Sequence, residues 1–429
     1  MSRLHEEFAT LEAAGDPVSI SIVGVGRMGK SIAIGSEQMD GVEVTVLADV
    51  RPDRTRETFR TMGYPEDRIT SVETAAEGDR ARANGHLVTT EDALLPGKLD
   101  DVDVVIGATG VPEVGARVGM RSILEQNHVV MLTDETDAVI GPYLSALAER
   151  AGVVYSGAAG DEPGAIMELY DFADSLGFEV VAAGKGKNNP LDREATPESL
   201  AADAERKNLT PEIYTAFVDG TNSMLEMTMV ANATGLTVDR RGLHGPEVSG
   251  VSELPDVFAA EADGGILSRT GVVDYALGGG VAPGVFLVLT TDSEVIQDDL
   301  EYLGIGDGPN YCLHRTYHIP TIEPLLTAAR ATLYGDAALI PQEPVVDTIT
   351  VAKRDLSAGE TIDGIGGHTV YGLTERNEVV DELNLVPISL VEGATLRRDV
   401  EKGEPIRYDD LDLVENDLLY LRKLQDSYF

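Results

Sequence analysis

Lysine, cysteine and long apolar segments are all scarce in this sequence of 429 residues. The one cysteine, Cys312, excludes an internal disulfide framework and predicts a reducing, cytoplasmic location. No apolar run reaches the ~18 residues of a membrane helix, and the N-terminal segment lacks the apolar core of a signal peptide. The sequence therefore predicts neither a membrane span nor a secretory signal.

Basic residues are few compared with acidic ones. Asp and Glu total 74 against 33 Lys and Arg, which gives a formal charge of -41. Such a surface repels nucleic acid and anionic membranes, so we expect neither as a partner. The acidic excess, with arginine preferred to lysine, is typical of a halophilic protein, because molar salt shortens the Debye length to ~3 Å and screens the repulsion. The 43% hydrophobic content still predicts a large folded core.

A dinucleotide-binding pattern is present near the N-terminus. The segment VSISIVGVGRMGKSIAIGSEQ (18–38) predicts a buried strand, a glycine turn and a helix. The G-x-G-x-x-G spacing allows a tight turn and close approach of a pyrophosphate, and the helix N-terminus supplies N–H donors. The residues expected at the cofactor in this turn are Gly24, Gly26, Arg27, Met28 and Gly29.

The choice between NAD(H) and NADP(H) stays open. A second strand ends at Asp49, where a carboxylate could hydrogen-bond the adenosine ribose and favour NAD. Arg51 and Arg54 follow at once and could pair with the 2′-phosphate of NADP. A further strand, VDVVIGATG, ends at Ala108, Thr109 and Gly110, which we expect near the nicotinamide.

Strands and helices alternate through the first third of the chain, which predicts an α/β fold with a doubly wound parallel sheet of the Rossmann kind. We expect a second, α+β catalytic domain after it. Short strands with A-G-E and K-G-E-P-I turns then predict a small C-terminal all-β domain. The predicted boundaries are 1–165 with helix 321–335 for the nucleotide domain, 166–320 for the catalytic domain, 345–415 for the all-β domain and 416–429 for a C-terminal helix.

Two of the eight lysines lie together in GKGKNNP (184–190). The segment follows an apolar strand, so we expect Lys185, Lys187 and Asn188 to emerge into a loop that faces the cofactor cleft. A lysine can bind a phosphate or carboxylate, polarise a carbonyl, or act as an acid when burial lowers its pKa. The other interpretation is a solvated turn.

Three more polar residues are candidates for the active site. Asp219 in DGTN opens a methionine-rich helix and is either a helix cap or a substrate contact. His244 and Arg269 could serve as an acid and an anion clamp, although a lone histidine is often a loop residue with a structural partner.

A metal site is the least specific of these predictions. Glu135, Asp137, Asp161 and Glu162 lie close to predicted strand ends, and two or three of them could bind Mg²⁺ or Mn²⁺. Acidic residues are frequent throughout this chain, so the alternative is that they are ordinary surface acids.

The order of motifs resembles the homoserine dehydrogenase superfamily. The similar segments are the glycine turn, VVIGATGVP, HVVMLTD, AAGDEPGAI and FVDGTNSMLEM, spread over residues 18–340. Thr133, Asp134 and Glu135 replace the lysine segment of that family, and its second lysine motif is missing after Gly235. Homoserine is therefore not the expected substrate.

The segments 157–193, 217–227 and 264–286 are similar to a subgroup named deoxyxylulose-phosphate reductoisomerase-like, which isomerises and reduces a ketose phosphate with NADPH. The C-terminal strands resemble the SAF, or β-clip, module, which binds small anionic sugars or serves assembly. An equally open interpretation is that this region binds no ligand and only packs against the rest of the protein. The resemblance implies an NAD(P)-dependent oxidoreductase with a small anionic substrate, in a homo-oligomer. The alternative is a nucleotide-sensing regulatory or scaffold protein without turnover.

Overall fold

Parallel strands and helices alternate in the N-terminal part of the structure, a computed structural model that describes residues 4–429. The chain forms two units: 1–164 with 319–340 and 424–428, and 165–318 with 341–423 and 429. The strands of the first unit are β1 Val18–Val23, β2 Val42–Ala48, β3 Ile69–Ser71, β4 Leu87–Thr90, β5 Val104–Gly107, β6 His128–Met131 and β7 Tyr155–Gly157. Its helices are α1 Leu4–Ala14, α2 Arg27–Ser36, α3 Pro52–Thr61, α4 Ala75–Ala83, α5 Pro112–Leu124, α6 Asp134–Ala151 and α13 Pro324–Tyr334.

All seven strands of the first unit are parallel, in the order β3-β4-β2-β1-β5-β6-β7. Every residue of β1 is buried, as expected for a strand covered on both faces by helices. Ile20 and Ile106 share a core with Leu325 of α13. The sheet confirms the predicted Rossmann-like α/β fold. The strand order reverses at β1, and ligands of such sheets bind beyond the carboxyl ends of the strands at this point.

The second unit contains a mixed sheet in the order β11-β10-β8-β9 and a smaller C-terminal region. Its strands are β8 Glu179–Lys187, β9 Val272–Leu277, β10 Val285–Thr290, β11 Asn310–Arg315, β12 Val346–Ala352, β13 Val370–Arg376, β14 Thr395–Leu396 and β15 Leu411–Asp412. The remaining helices are α7 Glu162–Ser175, α8 Pro197–Lys207, α9 Pro211–Val218, α10 Thr221–Thr234, α11 Leu254–Val257, α12 Glu294–Tyr302, α14 Asn377–Leu383 and α15 Asp417–Tyr428.

Helix α10 is the centre of the second unit. It is buried on nearly all sides, because it contacts β9 of the mixed sheet as well as the antiparallel hairpin of β12 and β13. Polar contacts join helix and hairpin: Gly372 N donates to Thr221 Oγ1 at 2.9 Å, and the hydroxyls of Thr228 and Thr348 lie 2.9 Å apart. The C-terminal region thus packs on the helix that follows Asp219.

The C-terminal region contains helix α14 in addition to the strands that the sequence predicts. Among residues 4–429, no helix combines the length and the apolar character that crossing a membrane requires. The division into the predicted domains stays a prediction beyond the two units described above.

Candidate active site

The predicted glycine turn follows β1 at the carboxyl edge of the parallel sheet. Gly24 has a φ of +96°, and a Cβ atom there would lie 2.4 Å from the carbonyl oxygen of Ala108. A Cβ atom at Gly29 would lie 2.0 Å from the carbonyl oxygen of Gly24. Both positions require glycine, because a side chain at Gly24 would collide with the backbone after β5 and one at Gly29 would collide with the turn itself.

Gly26 has a different environment. It is the N-cap residue of α2 with a φ of -77°, and a Cβ atom built there would have no heavy atom within 4 Å. The space in front of the first N–H groups of α2 is therefore open, and an anion is stabilised at such a helix N-terminus. The turn accordingly fits the pyrophosphate of a dinucleotide.

Asp49 stabilises the same turn from the end of β2. Its Oδ2 accepts a hydrogen bond from Val25 N at 2.8 Å, and its Oδ1 accepts one from Arg51 N at 2.8 Å. The carboxylate keeps further lone pairs, so it can still accept a ribose hydroxyl. The side chain of Arg51 is exposed beside it. Asp49 and Arg51 thus lie at the end of β2, and Arg54 lies in the first turn of α3.

The other residues predicted to bind the cofactor lie along this edge of the sheet. Arg27 and Met28 are exposed in the first turn of α2. Ala108 and Thr109 follow β5 and are half-buried, whereas Gly110 is exposed. The structure therefore brings all the predicted cofactor residues to the point where the strand order reverses.

The predicted metal ligands lie on helices α6 and α7 and in the turn before α7. Asp137 is buried in α6, where its Oδ2 accepts a hydrogen bond from the Tyr155 hydroxyl at 3.0 Å and its Oδ1 has no hydrogen-bond partner. Burial raises the pKa of Asp137 to about 7. Glu135 is also on α6, and Glu162 begins α7. Across residues 4–429, no three His, Cys, Asp or Glu side chains are placed to hold a metal ion. A Mg²⁺ or Mn²⁺ ion held by two of these carboxylates together with a substrate phosphate stays a prediction.

The two lysines of GKGK lie inside strand β8, which corrects the expectation that they emerge into a loop. The ladder continues to the end of the strand, where Lys187 is opposite Leu277 of β9. Lys185 and Lys187 are only 6% and 5% exposed, so the solvated turn is also excluded. Asn188 is the first exposed residue after the strand.

The glycines beside the lysines, Gly184 and Gly186, let the neighbouring backbone approach the strand closely. A Cβ atom at Gly184 would lie 2.2 Å from the carbonyl oxygen of Asp274, and one at Gly186 would lie 2.2 Å from the backbone nitrogen of Ala282. Because side chains alternate along a strand, glycines and lysines lie on opposite faces. The neighbouring backbone packs on the glycine face, and the lysines share the other face with Tyr275.

Lys185 forms a buried ion pair. Its Nζ donates a hydrogen bond to Oε2 of Glu226 on α10, whose side chain is 2% exposed. The other carboxylate oxygen, Oε1, accepts from Asn222 Nδ2 at 2.5 Å. Glu226 is therefore held from two sides, by Lys185 and by Asn222.

Lys187 has a neutral partner instead. Its Nζ donates to the carbonyl oxygen of Phe217 at the end of α9. Burial and the positive charge of Lys185 lower the pKa of Lys187 to about 8, against the opposing charges of Glu226 and Asp219. This amine can exchange a proton near neutral pH, as a general acid or base must.

Asp219 has structural partners on both carboxylate oxygens. Its Oδ1 accepts from Thr221 N at 2.9 Å, at the start of α10, and its Oδ2 accepts from Lys353 Nζ at 2.9 Å. The Lys353 ammonium also donates to the carbonyl oxygens of Ala195 and Gly367, at 3.0 and 2.8 Å. The N-cap residue of α10 is Gly220, so Asp219 lies one position before it and joins the start of the helix to Lys353.

His244 and Arg269 meet at Asp239. The His244 Nε2 atom lies 2.7 Å from Oδ2 of Asp239, and Arg269 Nε lies 3.9 Å from Oδ1. The backbone of His244 is fixed separately, since its N–H donates to both carboxylate oxygens of Asp274. Burial raises the pKa of Asp274 to about 6 although three backbone N–H groups donate to it. Both predicted residues thus belong to a cluster around Asp239.

Sequence reasoning missed Glu226, Lys353 and Arg193. Glu226 was visible as the only charged residue in a methionine-rich helix, TNSMLEMTMV, and Lys353 as one more of the eight lysines. Arg193 gave no signal, because its surroundings come from segments far apart in the chain.

Comparison with known proteins identifies two parts of the chain. Residues 160–324 match the family model described as oxidoreductase DRL, catalytic domain, and residues 348–412 match the SAF domain. No curated protein sequence matches the chain. The homoserine dehydrogenase subtype and the halophilic origin stay predictions.

Several solved structures are similar in fold. A probable dehydrogenase from Thermotoga maritima has 15% identity and a TM-score of 0.37, over 63% of this chain and 72% of that one. The 1-deoxy-D-xylulose 5-phosphate reductoisomerase from Zymomonas mobilis, in complex with NADPH, has 15% identity and a TM-score of 0.37. The match covers 51% of this chain and 59% of that one. The scyllo-inositol dehydrogenase from Lactobacillus casei, with bound NAD(H) and scyllo-inositol, has 12% identity and a TM-score of 0.38, over 70% and 76%. These likenesses concern the fold alone. The family matches are more specific: residues 160–324 form an oxidoreductase catalytic domain of the DRL type, and residues 348–412 form an SAF domain.

Proposed function

We propose that this chain is an NAD(P)-dependent oxidoreductase that acts on a small phosphorylated or carboxylated hydroxy or keto compound. The glycine turn would hold NAD(H) or NADP(H), and the lysine face of β8 would bind the substrate. The observation that carries the proposal is the pair of buried lysines, of which Lys187 has its pKa lowered to about 8. The DRL catalytic-domain match includes both lysines and supports it.

The two lysines would have different roles, because their partners differ. Lys185 stays charged beside Glu226 and would stabilise negative charge that develops on the reacting oxygen. Lys187 would donate a proton to the carbonyl oxygen during reduction and accept the hydroxyl proton during oxidation. A bound nicotinamide supplies or accepts the hydride.

A sugar-phosphate reductoisomerase is the finer proposal. It rests on the resemblance of residues 157–193 and 264–286 to the reductoisomerase-like subgroup. A homoserine dehydrogenase-like activity has less support, because the lysines expected from that family are absent at Thr133 to Glu135 and after Gly235.

The proposed binding of the cofactor at the glycine turn is tested by fluorescence titration with NADH and NADPH at fixed, high KCl. Gly26→Ala places a methyl group in the open space before α2 and leaves an allowed φ, so it should abolish nucleotide binding while the melting temperature stays near the wild-type value. Gly24→Ala is the contrasting variant: it should lower the melting temperature, because its Cβ meets the Ala108 carbonyl. Nucleotide binding by Gly26→Ala at wild-type affinity would contradict the assigned phosphate position.

The proposed activity on small anionic substrates is tested by a turnover screen of ketose phosphates, aldose phosphates and sugar acids with both cofactors. Reduction or oxidation that is lost in Lys187→Met would support the enzyme. Tight nucleotide binding with no turnover across both substrate classes would favour the nucleotide-sensing alternative instead.

A further inference from the structure

One cation near the lysines lacks a carboxylate partner. Arg193 lies in the turn between β8 and α8, and its Nη1 atom is buried without a hydrogen-bond partner. The guanidinium centre lies 5.2 Å from the ring centroid of Tyr371 on β13. In a chain with 74 acidic and 33 basic residues, a partly buried arginine with an unused donor is unexpected.

Three carboxylates of the second unit that could pair with a cation are engaged with lysines, and the Asp192 carboxylate accepts from Glu194 N at 2.9 Å. Glu194, the residue after Arg193, pairs with Lys402. Asp219 pairs with Lys353, and Glu226 pairs with Lys185. The positive charge of Arg193 is felt at Lys187, where it lowers the amine pKa further, and at the phenol of Tyr371, where it opposes the rise in pKa caused by burial.

The turn that carries Arg193 is held in place on both sides. Asp192 N donates to the carbonyl oxygen of Val218 at 3.0 Å, and the carbonyl oxygen of Ala195 accepts from Lys353 Nζ at 3.0 Å. The backbone on both sides of Arg193 is therefore fixed before any ligand arrives, which lowers the conformational entropy that binding costs.

We propose that Arg193 binds the anionic group of the substrate, with Lys187 left to the reacting carbonyl, and that Tyr371 forms a wall of this subsite. A planar guanidinium can donate two hydrogen bonds to one phosphate or carboxylate, which are the anions that it binds best. Tyr371 belongs to the matched SAF region, so the SAF domain would take part in substrate binding rather than only in packing. The inference rests on the proposed function only in treating the bound anion as part of a substrate.

The test is isothermal titration of the full-length protein with inorganic phosphate and, separately, with acetate, at constant KCl. Arg193→Gln should weaken binding of the preferred anion by ~tenfold or more, since it removes a charge-assisted hydrogen bond. Tyr371→Ala should weaken it by a smaller factor, whereas Tyr371→Phe should keep the aromatic wall and the affinity. The matched control is Arg206→Gln, because Arg206 is exposed on α8 and pairs with Asp203. This variant should bind the anion with the affinity of the wild type.

The preferred anion distinguishes a phosphorylated from a carboxylated substrate. Wild-type protein that binds neither anion, or an Arg193→Gln variant that binds as well as Arg206→Gln, would overturn the subsite. A parallel NADH titration separates the two proposals: anion binding without nucleotide binding would refute the oxidoreductase and keep the subsite, and the reverse would refute the subsite alone. Circular dichroism of Arg193→Gln verifies that the variant is folded.

Discussion

Lys185 of strand β8 and Glu226 of helix α10 form an ion pair that is almost completely withdrawn from water. Removal of one partner leaves the other charge buried, which costs about 3–5 kcal/mol in comparable pairs. We therefore expect Lys185→Met to lower the free energy of unfolding by that amount. The double variant Lys185→Met/Glu226→Leu should recover most of the loss, because neither charge is left.

Urea unfolding at fixed KCl measures both variants. A single variant as stable as the wild type would show that Glu226 takes up a proton or reaches water easily. Both variants should lose turnover, since the fixed positive charge is gone in each.

Lys187 should give the reaction its pH dependence. With a pKa of about 8, the ammonium form that donates a proton is lost as the pH rises through 8. The rate of reduction, as kcat/KM, should therefore fall above pH 8, and the rate of oxidation should rise over the same range. Lys187→Met should lower kcat by ~10²-fold or more and remove this transition.

Lys187→Arg should not restore activity, because a guanidinium does not release its proton in this range. A pH profile that keeps the transition near 8 in Lys187→Met would assign it to another group.

Asp49 should affect both the shape of the cofactor turn and the choice of cofactor. Asp49→Asn removes the charge but keeps a carbonyl oxygen for Val25 N, so it should shift preference toward NADPH by ~tenfold, a change of ~1.4 kcal/mol. Asp49→Ala leaves the buried Val25 N–H without its acceptor, so it should weaken NADH and NADPH alike. An unchanged ratio of the two dissociation constants in Asp49→Asn would limit Asp49 to its structural role.

Asp137 should make the stability depend on pH. Burial raises its folded pKa to about 7, above the usual value of 3.8, so the folded state holds the proton more tightly than the unfolded state. The stabilisation is complete below pH 3.8 and is lost as the pH rises to 7, by about 1.4 kcal/mol per pH unit. Asp137→Asn has no titrating group at this position. Its free energy of unfolding, relative to that of the wild type, should therefore increase between pH 5 and 7. Parallel stability curves for the two proteins would refute the assignment.

Salt should stabilise the whole protein. A formal charge of -41 repels itself in the compact state, and KCl at about 3 M screens that repulsion far better than KCl at about 0.1 M. The thermal midpoint should rise between these concentrations. An unchanged midpoint would contradict the halophilic interpretation of the composition.

Local sequence patterns predicted the nucleotide half of the structure well. The G-x-G-x-x-G turn, the apolar strand before it and the acid at Asp49 act within one βαβ unit, where strand, turn and helix are set by neighbouring residues. The alternation of strands and helices likewise predicted the parallel sheet. The SAF region was identified by its resemblance to a known module rather than by its pattern.

From the sequence alone, Lys185 and Lys187 could be located as a pair beside an apolar stretch, although we expected them in a loop. Their place on one face of β8 and the groups that this face meets come from the tertiary structure: Glu226 beside Lys185, a backbone carbonyl beside Lys187, and Arg193 next to Tyr371. Burial and partner set the charge and the pKa of a lysine, and both depend on segments distant in the chain. The chemistry of these residues could therefore be located by sequence but not assigned by it.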